Sequence, residues 1–391
     1  MQRFLEQKRK LNSSNQTPTS SAQKLNNRLT SGLQYSRQMS SILTLVRPDT
    51  SSISRSIVKA SFNFHYPIGK GGFGKVWKVD LKRSKAYYAL KEMQKMRVIS
   101  KRSVHSVMNE RKILESLNHD FIVNMHFAFQ DRENLYLVLD LKNGGDLRYQ
   151  MAKNKKFNEP QARFFICCLL AGLQYIHNNR IIHRDIKPEN LVFDERGYLF
   201  ITDFGIARIW VPDNSKDTSG TPGYMAPEVM FRQNHGIAVD YFAVGVILYE
   251  LITGRRPYLG RDRKEIRDQI LSKQAKIISA PEGWSNEAID FANKLIQRKI
   301  SNRLGNGGFV EILSHPWIRS FPWKDLQQGS LVSPFIPKSQ DNFDPRNLGD
   351  WKDEIDPNID LASSQNLFMG YSFEGRTNEP SIRHKKSASL I

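Results

Sequence analysis

Eight consecutive residues, His183 to Asn190, combine a carboxylate, an amine and an amide directly after an apolar run. In-line transfer of a phosphoryl group needs an acceptor for the proton of the attacking hydroxyl, positive charge beside the moving phosphate and oxygen ligands for magnesium. Asp185, Lys187 and Asn190 have side chains of these three types. The spacing therefore indicates phosphoryl transfer, with a chance match in a polar turn as the alternative.

A glycine-rich stretch lies far upstream and has the pattern G-x-G-x-x-G followed by a valine. Glycines let a backbone approach phosphates closely, but the pattern also occurs in dinucleotide sites and in ordinary turns. A dinucleotide fold would begin a helix at the last glycine, whereas Val76–Val79 continues with β-branched and aromatic residues. This favours two strands joined by a phosphate-covering loop. The loop consists of Ile68, Gly69, Lys70, Gly71, Gly72, Phe73, Gly74, Lys75 and Val76.

The next two predicted elements add a small residue, a lysine and a glutamate. Side chains alternate along a strand, so Ala89 and Lys91 project from one face of the strand that begins at Tyr87. In the helix predicted over 104–117, Glu110 falls on the apolar stripe that contains Val107. An acid on a buried face is costly unless it is paired, so Glu110 needs a cationic partner.

Together these segments resemble the serine/threonine protein kinases. The octapeptide is similar to the catalytic loop of that family, and Asp203-Phe204-Gly205, thirteen residues after Asn190, is similar to its metal-binding motif. The resemblance implies ATP and Mg²⁺ as cofactors, with Asn190 and Asp203 as the magnesium ligands. It also implies an ion pair between Lys91 and Glu110, in which the lysine steadies the α and β phosphates.

The resemblance also implies roles for other residues. Asp185 would accept or orient the hydroxyl proton, and Lys187 would offset charge on the moving phosphoryl group. Asp240 would hold the backbone of the catalytic loop, and Glu228 would pair with Arg303. ATP would be bound by the glycine loop together with Ala89, Lys91, Glu110, the gatekeeper Leu139, the backbone of Asp140 and Leu141, Asp146, Glu189 and Val192.

The C-terminal part narrows the resemblance to the AGC group. Its Pro334–Pro337 and Phe368–Phe373 resemble the tail that wraps the small lobe in that group, and Gly144–Tyr149 is similar to the YANK branch. The implied fold is α+β and bilobal, with an antiparallel β small lobe carrying one main helix and an α-rich large lobe. We expect a disordered basic Ser/Asn-rich tail over 1–61, a kinase domain over 62–318 divided into lobes 62–140 and 141–318, an AGC extension over 319–374 and a basic flexible C-terminus over 375–391.

The activation segment departs from the AGC pattern. Asp217 stands where most AGC kinases carry a phosphorylatable threonine. We hypothesise that Asp217 pairs with Arg184 and Arg208 and orders the segment with little need for phosphorylation there. The alternative is that Asp217 is a solvated acid and that Thr218 or Thr221 is the regulated residue.

Two further predictions concern partners. Ser372 lies in the aromatic tail motif and would be the tail phosphosite, so an upstream kinase would act on it or on the activation segment. The substrates would be proteins with serine or threonine acceptors. Asp146, Glu189 and Asp268 fall where basophilic AGC kinases hold acids, which predicts a preference for basic residues before the acceptor.

The amino-acid composition gives little information about the function. The net charge of +19 would suit nucleic acid, anionic membranes or acidic proteins. The first sixty residues contain ten Lys and Arg against two acids, so a solvated basic tail accounts for much of it. A nucleic-acid-binding protein would rest on charge alone, and we expect no specific nucleic acid partner. A pseudokinase scaffold is the other rival, but every phosphate-binding and metal-binding residue is present.

Location is predicted from what the sequence lacks. The first ten residues carry no apolar core, and the longest apolar run, Phe164 to Leu173, is too short to cross a bilayer. The only cysteines, Cys167 and Cys168, are adjacent in a helical pattern, which argues against a disulfide and favours a reducing compartment. We expect a monomer without a transmembrane segment, located in the cytoplasm, and leave the nucleus open.

Overall fold

The computed structural model describes residues 56–154, 156–338 and 359–375. Most of the predicted N-terminal tail therefore lies outside the described residues, as do residues 339–358 of the predicted AGC extension and the residues from 376 onward. Within the described ranges the fold is α+β, as predicted, with an antiparallel sheet preceding a helical lobe.

The small lobe is built on five antiparallel strands, β1 to β5, in the order β1-β2-β3-β5-β4. Their aromatic and β-branched residues alternate between two apolar faces, as strand geometry requires. The register places Lys91 between Val76 and Leu137 on the neighbouring strands, so the lysine lies beside the end of the glycine loop. The strands are β1 Phe62–Lys70, β2 Gly74–Leu81, β3 Tyr87–Gln94, β4 Met125–Gln130 and β5 Asn134–Asp140.

Two helices follow β3 and cover one face of the sheet. Helix α1 is Lys95–Ser100 and α2 is Val104–Ser116. Helix α2 buries Val107, Glu110 and Leu114, which share one face at spacings of three and four residues. The sequence therefore predicted both the helix and the burial of its glutamate.

The large lobe is organised around helices that are apolar on most sides. Helix α4 begins at a capping box in which Asn158 accepts from the backbone N–H of Gln161 at 3.0 Å, while Gln161 accepts from that of Asn158 at 3.1 Å. Helix α6 buries 14 of its 16 residues, including Asp240 and Glu250. The described helices of the large lobe are α3 Leu147–Asn154, α4 Glu159–Asn178, α5 Pro227–Met230, α6 Ala238–Thr253, α7 Arg263–Ser272, α8 Asn286–Leu295, α9 Phe309–Leu313, α10 Pro316–Arg319 and α11 Trp323–Gln327.

Four short strands frame the loops at the junction of the lobes. β6 pairs with β9 and β7 with β8, both antiparallel. The pair β7–β8 holds the loop that ends at Asn190 against the strand that precedes Asp203. The strands are β6 Ile181–Ile182, β7 Leu191–Phe193, β8 Leu199–Ile201 and β9 Arg208–Ile209.

The C-terminal residues 359–375 pack against the small lobe. Phe368 and Tyr371 are fully buried, and β10, Phe373–Glu374, extends the sheet beside β4. Lys95 donates to the Gln365 side chain at 2.7 Å, and Arg111 of α2 donates to the Ser372 carbonyl at 3.1 Å. The aromatic motif thus lies beside the helix that carries Glu110.

Two sequence expectations concern cysteines and membranes. Cys167 and Cys168 are buried in α4 and form no disulfide. Among the described residues, no helix combines the length and the apolar character that crossing a bilayer requires.

Candidate active site

Lys91, Glu110 and Asp203 meet between the lobes, although they come from β3, α2 and the loop after β8. Lys91 Nζ lies 2.7 Å from Glu110 Oε1 and 3.7 Å from Asp203 Oδ1. The Glu110 side chain is 4% exposed and that of Asp203 is 47% exposed, so the group is closed on the helix side and open toward the cleft. The predicted ion pair is present, and it places the amine within reach of a metal-binding carboxylate.

The charges of this group follow from its contacts. Burial alone would lower the pKa of the Lys91 amine, but the carboxylates of Glu110 and Asp203 raise it, so the lysine is charged. Lys91 in turn lowers the pKa of Asp203, against the effect of burial. A cation and an ionised carboxylate side by side are suited to a phosphate and its metal ion, respectively.

The catalytic loop is held from below by one buried carboxylate on α6. Asp240 accepts from the backbone N–H groups of His183 at 3.0 Å and Arg184 at 2.8 Å, and His177 Nε2 lies 2.8 Å from it. The backbone of Arg184 is left-handed, with φ of 68°. A non-glycine residue pays strain for this conformation, and the two hydrogen bonds to Asp240 hold it in place.

Asp185, Lys187 and Asn190 converge as the sequence predicted. Lys187 Nζ lies 2.7 Å from Asp185 Oδ2, and the Asn190 side chain donates to the same oxygen at 3.1 Å. The Thr221 hydroxyl donates to Asp185 Oδ1 at 2.7 Å and accepts from Lys187 Nζ at 2.9 Å. The unmodified Thr221 hydroxyl thus bridges Asp185 and Lys187, and a phosphate on it would disrupt both contacts and place negative charge against Asp185.

The donor set is compatible with magnesium. The amide nitrogen of Asn190 donates to the Asp185 carbonyl and carboxylate, which leaves the Asn190 amide oxygen as a possible metal ligand. Asp203 supplies an ionised carboxylate on a left-handed backbone with φ of 63°. Mg²⁺ is typically held by one or two protein oxygens together with phosphate oxygens and water, so this small set suffices.

Several of the predicted nucleotide-binding residues lie on β2, β3 and β5, on or beside the strand that carries Lys91. Gly74 packs so tightly on β3 that a Cβ would lie 1.6 Å from the Glu92 carbonyl oxygen, so only glycine fits at the end of the loop. Ala89 pairs with Leu139 across the sheet. The Asp140 carboxylate accepts from Asn124 and lies 2.7 Å from His126, and the Asp140 backbone N–H donates to the Asn124 carbonyl, so neither group is directed at a nucleotide. Ile68, Phe73, Val76, Leu141 and Val192 are half-buried against the same apolar core as Ala89 and Leu139.

The activation segment is anchored by Asp217. Its Oδ2 lies 3.0 Å from Arg184 Nη1, and the side chains of Arg184 and Asp217 are 2% and 43% exposed. The other two nitrogens of the guanidinium donate to the Ile206 carbonyl at 2.9 and 2.6 Å. The predicted pair with Arg184 is thus present. Among the described residues, Asp217 makes no ion pair with Arg208, and the Thr218 carbonyl accepts from Arg263 at 3.3 Å.

A second buried ion pair fixes the end of this segment. Arg303 Nη1 and Nη2 lie 2.6 and 2.9 Å from the two oxygens of Glu228, and both side chains are buried. Arg303 also donates to the Ala238 carbonyl at the start of α6. The predicted Glu228–Arg303 pair is confirmed, and it ties α5 to the helix that holds the catalytic loop.

The three acids predicted to bind substrate are in different environments. Asp146 accepts from the backbone N–H of Tyr149 at 2.7 Å and so caps α3. Glu189 lies 2.9 Å from Arg148 Nε, so its carboxylate already has a cationic partner within the chain. Asp268 is exposed on α7 and, within the described part of the chain, contacts neither of the other two.

Sequence reasoning missed the residues that surround Glu189. The Arg148 guanidinium also pairs with both oxygens of Glu250, at 2.8 and 3.1 Å, and contacts the hydroxyl of Tyr224. Tyr224 donates to Glu250 at 2.6 Å. An available signal was Glu250 itself, a second acid near the end of the mostly apolar helix that begins with Asp240, which required a partner in the same way as Glu110.

Comparison with known proteins gives consistent matches. The family model described as protein kinase domain matches residues 62–318. A probable serine/threonine-protein kinase of Dictyostelium discoideum is 37% identical over 330 residues, which cover 82% of this chain and 72% of that protein. Serine/threonine-protein kinase sgk-1 of Caenorhabditis elegans is 37% identical over 310 residues, 77% of this chain and 65% of that protein. Serine/threonine-protein kinase Sgk1 of Homo sapiens is 33% identical over 336 residues, 82% and 77% of the two chains.

Proposed function

Because the chain belongs to the protein kinase family, as an AGC-group serine/threonine kinase, we propose that its active centre is the cleft around Lys91, Asp185 and Asp203 and that Mg²⁺ is its metal. The enzyme phosphorylates serine or threonine in proteins and uses ATP with a divalent metal ion. The observation that carries the assignment of the centre is the simultaneous approach of Lys91 to Glu110 and Asp203.

The residues of the cleft divide the work of transfer. Lys91, fixed by Glu110, holds the α and β phosphates beneath the glycine loop. Asp185 orients the acceptor hydroxyl and takes its proton as the oxygen–phosphorus bond forms and the bond to the bridging oxygen of ADP breaks. Lys187 lies 2.7 Å from Asp185 and offsets charge on the moving group. Asn190 and Asp203 would hold Mg²⁺, which when bound offsets phosphate charge.

The assay compares the wild type with Asp185→Asn and Lys91→Met on a serine peptide with ATP. We expect at least a 100-fold loss of kcat in both variants, because each removes a charged group that acts on the reacting atoms. Lys112→Met, on the exposed side of α2, removes the same charge elsewhere and should retain activity. Equal activity of Asp185→Asn and the wild type would contradict the assignment.

The binding of Mg²⁺ at Asp203 is tested in a separate experiment. Titration of Mg²⁺ with ATP in a thermal-shift experiment should stabilise the wild type and fail to stabilise Asp203→Asn. Binding without turnover in the wild type would instead support a pseudokinase scaffold, the rival that the sequence left open.

Regulation is proposed to have two parts. Asp217 orders the activation segment through Arg184 without phosphorylation, whereas Ser372, exposed in the packed tail, is the residue that an upstream kinase modifies. We also propose a monomeric enzyme that acts in the cytoplasm, with the nucleus as a second location. Mass spectrometry of the isolated protein tests whether Ser372 and the activation segment are phosphorylated. Light scattering tests whether the enzyme is a monomer, and microscopy of a tagged chain tests its location.

A further inference from the structure

An arginine of the chain itself occupies an acidic recess next to the acceptor site. The recess is formed by Glu189 and Glu250, and the Arg148 guanidinium lies between them, 2.9 Å from the first and 2.8 and 3.1 Å from the two oxygens of the second. All three of its nitrogens make contacts, since Nη2 also reaches the hydroxyl of Tyr224. The contacts are charge-assisted, and the pair with Glu250 is bidentate.

The recess adjoins the place where a substrate hydroxyl must lie. Glu189 directly precedes Asn190, whose side chain donates to Asp185. Tyr224 follows Thr221, whose hydroxyl also donates to Asp185, by three residues. The recess is therefore bounded by the two segments that hold the catalytic carboxylate, and a peptide with its hydroxyl at Asp185 passes close to it.

The recess is open on the side of the catalytic loop and closed on the side of α6. The side chains of Glu189, Arg148 and Glu250 are 45%, 34% and 9% exposed. Two acids at such a site would attract a substrate arginine strongly, because the guanidinium fork matches carboxylates. Arg148 already supplies that fork from within the chain.

We propose that Arg148 is a specificity-determining residue that fills this acidic subsite and makes the kinase indifferent to arginine there. The proposal rests on the kinase function above and changes the predicted preference for basic residues, because it leaves Asp146 and Asp268 as the acids able to support one. Arg148 thus acts as a built-in substitute for a substrate side chain.

The test measures kcat/KM for serine peptides that differ only by arginine or glutamine at each position before the acceptor. We expect Arg148→Gln to create an arginine preference of about 10-fold or more at one position before the acceptor, because a freed bidentate acid gains a charged partner. The preference should arise through KM, with kcat on the glutamine peptide nearly unchanged. At that same position the wild type should prefer arginine by less than about 3-fold.

Two further variants separate recognition from folding. Arg148→Gln/Glu250→Gln removes the buried acid that Arg148→Gln leaves unpaired, so the fold carries no uncompensated buried charge and the new preference should weaken to what Glu189 alone supports. Arg148→Lys keeps the positive charge but loses the paired donors of the guanidinium, so it should give an intermediate arginine preference. It replaces Arg148→Gln in the test if that variant does not fold. A strong arginine preference in the wild type that Arg148→Gln leaves unchanged, or no new preference in either folded Arg148 variant, would overturn the proposal. Absence of turnover with every peptide in the wild type would instead count against the kinase activity itself.

Discussion

Replacing Asp217 with asparagine tests whether an unmodified carboxylate orders the activation segment. The substitution keeps the shape of the side chain and removes its charge. At the observed 3.0 Å from Arg184, two unit charges attract by about 5 kcal/mol at an effective dielectric constant near 20. Because the Asp217 side chain is 43% exposed, solvent screening reduces the net contribution to about 1–2 kcal/mol.

This contribution favours the ordered segment over disordered alternatives, since Arg184 also holds the Ile206 carbonyl. Losing it should shift the equilibrium toward disorder by about 5- to 30-fold. The Asp217→Asn enzyme should then lose activity by up to that factor, less if the wild-type segment is ordered by a wide margin. The assay is kcat/KM on one serine peptide, measured after phosphatase treatment of each protein and confirmed by mass spectrometry to be unphosphorylated.

Asp213→Asn provides the matched control, because Asp213 is an exposed acid of the same segment. It should retain wild-type activity, and raising the salt concentration should narrow the gap between the wild type and Asp217→Asn. The reasoning is refuted if phosphatase alone abolishes wild-type turnover, or if the Asp213 and Asp217 variants are equally active.

Three other predictions concern single groups. Glu110→Gln leaves the Lys91 amine without its ion pair, and kcat/KM should fall by about 100-fold while the melting temperature changes little. Tyr371 buries a hydroxyl for which the described residues offer no partner, so Tyr371→Phe should raise the free energy of unfolding by about 1 kcal/mol, whereas Tyr198→Phe removes a satisfied hydroxyl and should lower it. Burial would raise the pKa of Asp240, but His177, His183 and the backbone N–H of Arg184 lower it, so the stabilisation by Asp240 is present above the ordinary value of 3.8 and is lost as pH falls through the depressed pKa. The difference in unfolding free energy between the wild type and Asp240→Asn, measured in urea, should therefore shrink below pH 3.8.

The pairs that the sequence predicted correctly all join residues within recognisable motifs. Lys91 with Glu110 and Glu228 with Arg303 are examples, because each member stands in a segment whose type and order could be interpreted without coordinates. An acid on the apolar face of an amphipathic helix also predicts a cationic partner, because an unpaired buried charge is costly, and Glu110 is an example. Side-chain pattern and motif order therefore predicted most of the catalytic centre.

The substrate side could not be predicted in the same way. Arg148 and Glu250 are 102 residues apart, and neither residue lies in a pattern that specifies the other. Glu189 stands in the catalytic loop, whereas its partner Arg148 comes from the start of α3, so no residue near Glu189 in the sequence indicated the pair. Such contacts depend on how α3 and α6 pack, which local periodicity does not determine.

Helix α6 explains why the catalytic centre and the recess are coupled in one structure. Its acids at 240 and 250 are separated by ten residues, or about 15 Å along a helix. Asp240 fixes the backbone that presents Asp185, and Glu250 fixes Arg148 beside the acceptor site. Since this helix is buried on nearly every side, neither carboxylate can shift without repacking the core. The distance between the proton acceptor and the filled subsite is therefore a property of the core, and substitutions at Arg148 should alter peptide choice while leaving the catalytic loop in place.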